Sequence, residues 1–283
     1  MSGFLDDMAG SSAARVAQAL RHESAAALER RARAAPPAAP LRLSASGFDV
    51  IAELKLRSPA AGRLGDAGEN WPGRIAAYAR GGAAAVSVLT EPSRFDGSLE
   101  HLRQAAEVLA PLGVPAMRKD FLVDPYQVLE ARAAGAGGVL VILRMLKRPR
   151  IEALLDVAAE HGMFVLLEAF DEPDLGVARD LMASRAVGRS GPGAPPGEQI
   201  LIGINSRDLQ TLKVVQERFT TLAPLLPAAW PAVAESGVAS GADARRMRQL
   251  GYRLALIGTA LMACEDPSQL LREIFDATRT VQP

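Results

Sequence analysis

Eight short apolar runs punctuate the chain, and seven end in, or lead straight into, residues able to do chemistry. The runs are VIAELK, AAVSVLTE, PAMRKDF, GVLVIL, FVLLEAF, ILIGINSR, AVAESG and LALIGTAL. At or near their C-terminal ends stand Glu53 and Lys55, Glu91, Lys119, Glu168, Asn205 and Arg207, Glu235 and Ser236, and Gly258 with Thr259. The fourth run ends at Ile142–Leu143 and is followed by Arg144. Taking Glu53, Glu91, Lys119, Val141, Glu168, Asn205, Glu235 and Gly258 as markers, the steps are 38, 28, 22, 27, 37, 30 and 23 residues. Each step has room for a strand, a loop and a helix. Eight such units closing on themselves form a (β/α)8 TIM barrel and gather all the tips at one face, where barrel enzymes keep their active sites.

Length agrees with this. A barrel of about 250 residues plus a short extension uses the whole chain of 283. Residues 1–48 are expected to form a helical extension packed on the barrel, and 49–283 the catalytic barrel. Lysine plus arginine equals aspartate plus glutamate at 32 each, with no basic or aromatic cluster, so no nucleic-acid partner is expected. The single Cys264 cannot form an internal disulfide, and no paired thiols suggest a metal. No apolar run approaches the roughly 18 residues of a membrane span, and the first residues lack the features of a signal peptide. A cytoplasmic protein is expected, monomeric or a weak homo-oligomer.

Residues 11–35 read as one alanine-rich helix with Ser11 or Ser12 as its cap, stopped by the PPAAP stretch at 36–40. Helical patterns follow the strands around 73–80, 99–110, 125–135, 148–161, 172–184, 215–226, 240–250 and 266–279. Strand–helix alternation implies parallel strands with right-handed crossovers. The Gly/Pro-rich segment 186–199 falls between the fifth helix and the sixth strand. It reads as a surface insertion at the end away from the strand tips.

Strand parity then sorts the polar residues, because side chains two apart share a face. Glu53 and Lys55 go with Ile51, Lys119 with Met117, Glu168 with Leu166, Asn205 and Arg207 with Gly203, and Glu235 with Val233. Glu53 and Lys55 alone could be a structural ion pair. Further acids and a second lysine on other strands point to catalysis instead, since burying several charges together is costly unless they are paired or used. Asp120 and Ser206 have the opposite parity and are assigned to the scaffold side. The three histidines, His22, His101 and His161, fall within or just after helices and are read as solvated. Glu235-Ser236-Gly237 and Gly258-Thr259 offer small residues, hydroxyls and backbone N–H groups after the last two strands. That is how barrels commonly hold a phosphate, although simple turn chemistry would look the same.

At these residues the sequence resembles the indole-3-glycerol phosphate synthase family of tryptophan biosynthesis. The matching segments are IAELKLRSP (52–59), SVLTEPSRFDGS (87–98), RKDFLVDPYQVLEAR (118–132), LLEA (166–169), IGINSRDLQTL (202–212), AESG (234–237) and IGTALM (257–262). Phosphoribosylanthranilate isomerase and the tryptophan synthase alpha subunit share the architecture but not this set. The resemblance implies a lyase that closes 1-(2-carboxyphenylamino)-1-deoxyribulose 5-phosphate to indole-3-glycerol phosphate with loss of carbon dioxide and water. It implies Lys119 as general acid, Glu168 in the dehydration, and Glu53 with Lys55 completing the acid–base set. Asn205, Arg207 and Glu235 would orient substrate, with Asn205, Glu235 and Ser236 counted in the catalytic group. Ser58 would lie near the anthranilate carboxylate, with Phe95 and Phe121 as the apolar wall. Ser236, Gly237, Gly258 and Thr259 would cradle the phosphate. No metal or organic cofactor is implied, and a buried lysine with a lowered pKa suits the proton transfers.

The family's first loop usually reads Ser-Pro-Ser-Lys-Gly, whereas this chain has Ser58-Pro59-Ala60-Ala61-Gly62. That departure keeps open a specialised-metabolism paralogue acting on a substituted anthranilate. A non-catalytic scaffold barrel is the alternative from another class. Retention of every charged tip residue argues against it.

Overall fold

The computed structural model describes residues 3–45, 47–59, 62–64, 70–188 and 199–279. Ala60, Ala61 and most of the Gly/Pro-rich segment lie outside them. Eight parallel strands close into one barrel: β1 (Asp49–Leu54), β2 (Ala85–Leu89), β3 (Ala116–Lys119), β4 (Gly138–Ile142), β5 (Phe164–Ala169), β6 (Ile200–Asn205), β7 (Ala232–Glu235) and β8 (Leu254–Ile257). Each neighbours the next in sequence order, and β1 pairs with both β2 and β8 to complete the ring. Helices Trp71–Arg80, Leu99–Leu109, Pro125–Ala133, Arg148–Glu160, Glu172–Gly188, Glu217–Leu222, Gly241–Gln249 and Pro267–Thr278 follow the successive strands. All eight fall on segments where the sequence pattern predicts them.

Parity divides the core in two. Val50, Ala52 and Leu54 of β1, Val165 and Leu167 of β5, and Ile200, Ile202 and Ile204 of β6 face outward and pack in one cluster with the helices. Ile51, Met117, Leu140, Phe164, Leu166, Leu201, Val233 and Leu256 face inward and fill the barrel. The strands are buried on both sides, as parallel strands covered by helices must be. Residues following the inward set at the C-terminal ends therefore emerge into the barrel mouth.

The N-terminal segment is two helices where sequence reading predicts one. Helix α1 spans Phe4–His22 and α2 spans Ala25–Ala34. Ser11 and Ser12 are not caps, because the helix begins seven residues earlier, where the Gly3 N–H donates to Asp6. Ser12 is fully buried and accepts from Gln127 Nε2 at 2.8 Å. Ser24 caps α2 by accepting from the Ala27 N–H. The upstream turn exists because Met8, with Phe4 and Leu5 beside it, joins the apolar cluster inside the barrel. A second departure is the loop after β1, where Arg57–Ser58 and Gly62–Arg63 pair as a small antiparallel hairpin.

A buried charge network ties the extension to β3. Arg15 grips Asp120 with two hydrogen bonds of 2.7 and 2.8 Å. Thr90 Oγ1 donates to the same carboxylate at 2.7 Å, and Arg118 Nη2 does so at 3.0 Å. Arg118 is 1% exposed, and its other donors reach the Gln127 carbonyl, Glu130 and Thr90. Burial alone would raise the Asp120 carboxyl, but Arg15 and Arg118 hold it well below the usual carboxylate range. Asp120 thus works on the scaffold side, as its parity predicts. His161 departs from its expected solvated position: its side chain is 3% exposed and meets Glu29 of α2 at 3.1 Å. The residue lies at the end of its helix, but the docking of α2 covers it.

Asp120→Ala takes the carboxylate from Arg15 and leaves the buried Arg118 guanidinium with Glu130 alone, so unfolding in urea should show a loss of about 3–5 kcal/mol. Because folding depresses this carboxyl, its contribution is complete above the unfolded value near 4. It should disappear as pH falls below that, and the variant should lack this acid limb.

Candidate active site

The barrel mouth opens into a cavity of about 430 Å³. Three carboxylates, Glu53, Glu168 and Glu235, and three cations, Lys55, Lys119 and Arg207, line it together with Asn205 and Ser236. Their source is the parity of the strand ends: each of these acids continues the inward face of its strand. Lys119 closes β3, and its Nζ lies 3.0 Å from Glu235 Oε2 and 3.3 Å from Glu168 Oε2. Glu53 receives Lys55 Nζ at 2.8 Å.

Asn205 joins the two halves of this arrangement. Its Nδ2 donates to Glu168 Oε1 at 2.9 Å, and its Oδ1 accepts from the Arg207 N–H at 2.9 Å and from Ser236 Oγ at 3.0 Å. The carbonyl of Asn205 accepts from Arg218 Nη1 at 2.6 Å, which ties the end of β6 to its following helix. Arg207 Nη1 donates to the Leu212 carbonyl at 2.7 Å, so its guanidinium is braced across the loop. Ser206 is fully buried and donates to the backbone of Glu235 and Ser236, away from the cavity.

Protonation follows from burial and charge. Desolvation would lower the Lys119 pKa, yet Glu235, Glu168 and Glu53 outweigh it and the ammonium is strengthened. This corrects the expectation of a lowered lysine: burial and opposite charge act in contrary directions, and three nearby carboxylates win. Burial pushes Glu235 up to about 8, with like charge from Glu168 and Glu53 adding to it against the pull of Lys119. Glu53 moves the other way: burial would raise it, but Lys55, Lys119 and Arg207 bring it below the ordinary value. The cluster therefore holds a firmly protonated lysine, and Glu235 is the acid in it whose proton burial and like charge make hardest to lose.

One flank of the cavity is apolar. Phe95 and Phe121 line it with ring centroids 6.2 Å apart, beside Leu140 and Ile142. Phe4 of α1 stands edge-on to Phe121 at 5.8 Å and lines the same wall. Sequence reading missed Phe4 because it comes from the extension, far from any strand tip. Its signal was the apolar spacing of Phe4, Leu5 and Met8. The opposite flank is made by Ser236, Gly237, Gly258 and Thr259 with Val238, Ala239 and Ala260. Ser236 and Gly237 both take left-handed backbone, φ 66° and 79°, which turns the chain sharply after β7.

Two residues named from the sequence stand elsewhere. Ser58 is buried in the hairpin after β1 and is not part of the cavity wall. Glu91 does not face the mouth: it is 1% exposed and caps the short helix Pro92–Phe95, accepting from the Ser93 and Arg94 N–H groups. The proline after it starts a helix at once and draws the carboxylate into capping. Among the described residues no group of three or more His, Cys, Asp or Glu is arranged to hold a metal ion.

Folding raises the Glu235 carboxyl, so its contribution to stability is complete below the unfolded value near 4.5 and is lost as pH rises through about 8. Unfolding free energy should therefore fall more steeply between pH 5 and 8 in the wild type than in Glu235→Gln. Parallel curves for the two proteins would show that this carboxyl titrates normally.

Comparison with known proteins places this geometry in a family. The family model described as indole-3-glycerol phosphate synthase matches residues 5–191 and 193–274. A curated indole-3-glycerol phosphate synthase of Nocardioides sp. is 42% identical over 241 residues, covering 84% of this chain and 85% of the relative. One from Parafrankia sp. is 40% identical over 91% of this chain and 89% of its own length. Another from Mycolicibacterium smegmatis is 39% identical over 88% and 85%. Among solved structures, 3-hexulose-6-phosphate synthase from Salmonella typhimurium superposes with a TM-score of 0.60 at 14% identity, covering 81% of this chain and 98% of that one. Thiamine phosphate pyrophosphorylase from Pyrococcus furiosus gives 0.53 at 16% identity, over 81% and 95%. These two show the barrel fold alone. With a family model spanning nearly all of it and curated relatives at about 40% identity, the chain belongs to the indole-3-glycerol phosphate synthase family.

Proposed function

We propose that this chain catalyses the decarboxylating and dehydrating ring closure of 1-(2-carboxyphenylamino)-1-deoxyribulose 5-phosphate to indole-3-glycerol phosphate. The observation that carries this reading is Lys119, held between Glu168 and Glu235 with an apolar aromatic wall on one side and small-residue loops on the other. The substrate has the matching parts: an aromatic ring, a carbonyl to be protonated and a phosphate.

In this reading the anthranilate ring lies along Phe95 and Phe121, and the phosphate lies against Ser236, Gly237, Gly258 and Thr259. Ser58 supports the carboxylate end from within the hairpin that follows β1, behind the cavity wall. Lys119 donates its proton to the ribulose carbonyl oxygen as the ring carbon attacks it. The new carbon–carbon bond forms, and the electrons of the carboxylate C–C bond return to the ring as carbon dioxide leaves. A lysine held firmly protonated is suited to stabilise the alkoxide that develops there. In the dehydration a proton donated from the acid–base set lets the hydroxyl depart as water, and Glu168 takes the proton of the neighbouring ring carbon, whose C–H electrons become the new double bond. Glu53 positions Lys55 as the second cation, Arg207 and Asn205 orient the substrate, and Ser236 and Glu235 complete the acid–base set. Proton transfer and positioning suffice for the reaction, so no metal or organic cofactor is required.

Among the described residues no helix is long and apolar enough to cross a membrane. A cytoplasmic location, a 1–48 extension carried by a 49–283 barrel, and a monomer or weak homo-oligomer without nucleic-acid partners belong to the same proposal.

The direct test is indole formation, followed by ultraviolet absorbance or fluorescence, with purified protein and this substrate. Lys119→Ala should lose about 10²–10⁴ in kcat while keeping the circular dichroism of the wild type. Near-normal turnover in that variant would remove Lys119 from the mechanism. Thr259 is exposed at the phosphate flank, so Thr259→Glu should raise KM sharply with a smaller change in kcat, and inorganic phosphate should compete with substrate. An unchanged KM would put the phosphate elsewhere.

A further inference from the structure

Gly203 sits in β6 two residues below Asn205, facing into the barrel. Its backbone does not call for glycine, because it is not among the residues with positive φ and lies in an ordinary strand. Glycine in a strand interior is unfavourable unless something must approach closely. Here something does. A Cβ at this position would fall far inside contact distance of Glu235 Oε1, and it would lie 3.1 Å from Glu235 Cδ and 3.0 Å from Leu166 Cδ1.

We infer that Gly203 is a positioning residue for Glu235: its bare Cα is the seat of the Glu235 carboxylate, and that seat lets the acid face Lys119. The inference rests on the proposed ring closure for its catalytic meaning, but the seat itself is geometric. Glu235 comes from the tip of β7, where it pairs in register with Asn205. Its side chain folds back across β6, so that Oε2 reaches Lys119 Nζ at 3.0 Å while Oε1 lies over Gly203. Oε1 is buried and has no hydrogen-bond partner among the described residues. The oxygen occupies the space above the glycine, and fully buried Leu166 closes the side.

A methyl group at 203 meets the far end of a flexible side chain rather than backbone. The fold can therefore yield cheaply by letting the carboxylate swing out, whereas the Lys119 contact cannot survive the swing. Gly258 has the corresponding relation to Glu53, with a Cβ there falling 2.5 Å from Glu53 Oε1. Each of these inward glycines keeps the space that one carboxylate occupies.

The test is a double-mutant cycle. Gly203→Ala should melt within a few degrees of the wild type yet lose about 10²-fold or more in kcat, the loss expected for a catalytic group displaced by about 1 Å. In a Glu235→Asp background, where the shorter side chain stops short of the seat, the same substitution should cost less than tenfold. Without substrate, carbon-13 NMR of labelled glutamate, assigned by difference from Glu235→Gln, should find Glu235 titrating near 8 in the wild type and lower in Gly203→Ala. An equal loss of turnover in both backgrounds, or an unshifted titration, overturns the seat. Failure of Gly203→Ala to fold overturns it too, because backbone rather than carboxylate would then need the space. If the wild type does not turn over the substrate, the proposed function falls and the titration alone decides the seat.

Discussion

Everything at the barrel mouth depends on how one buried ammonium is neutralised. Lys119 meets Glu168 and Glu235 directly and feels Glu53 beyond them, so desolvation, which would discharge an isolated lysine, is overruled. The consequence is distributed over the cluster, since one lysine does not neutralise three acids. Lys55 serves Glu53, Asn205 serves Glu168, and burial with like charge drives the Glu235 carboxyl upward. Burial of the three carboxylates strengthens these pairings relative to the same contacts in water. The arrangement is an acid–base set held in place by burial and opposed charge.

The next residue along β3 reverses direction and serves a different purpose. Asp120 points away from the cavity into Arg15, Arg118 and Thr90, and through Arg15 it fastens α1 to the strand that presents Lys119. One dipeptide thus carries the central charge on one side and the anchor of the N-terminal extension on the other. The same extension brings Phe4 into the aromatic wall. Scaffold and site are linked through one strand end, which explains why a two-helix extension belongs to the working molecule.

Close packing governs the rest. Carboxylates that fold back into a barrel need volume, and parallel strands packed on both faces have little to give. Gly203 and Gly258 supply it against Glu235 and Glu53. Pairs of acid and glycine on neighbouring strands are therefore part of the site as much as the charged groups are. The glycine after the last strand lines the cavity as well, so its backbone faces the mouth while its missing side chain leaves room for Glu53 of the first strand.

The alternation of Ile51 with Glu53, Met117 with Lys119, Leu166 with Glu168 and Val233 with Glu235 determined by itself that these acids and bases share one face. Eight recurrences of strand and helix determined the barrel that makes that face a single place. Both are local periodicities, and strand parity translates them directly into direction. Sequence could not reveal that Glu91 caps a helix, that α2 buries His161, or that Ser12 is held inside α1 by Gln127. Each depends on a partner distant in the chain or on a competing local bond. The direction of the Lys119 shift was also hidden, because it is the outcome of opposed burial and charge effects from three other strands. The order of elements, the inward set and the chemistry of the tips were therefore written in local pattern. Which charges meet, which way each pKa moves, and why glycine stands at Gly203 and Gly258 were decided only when the barrel closed.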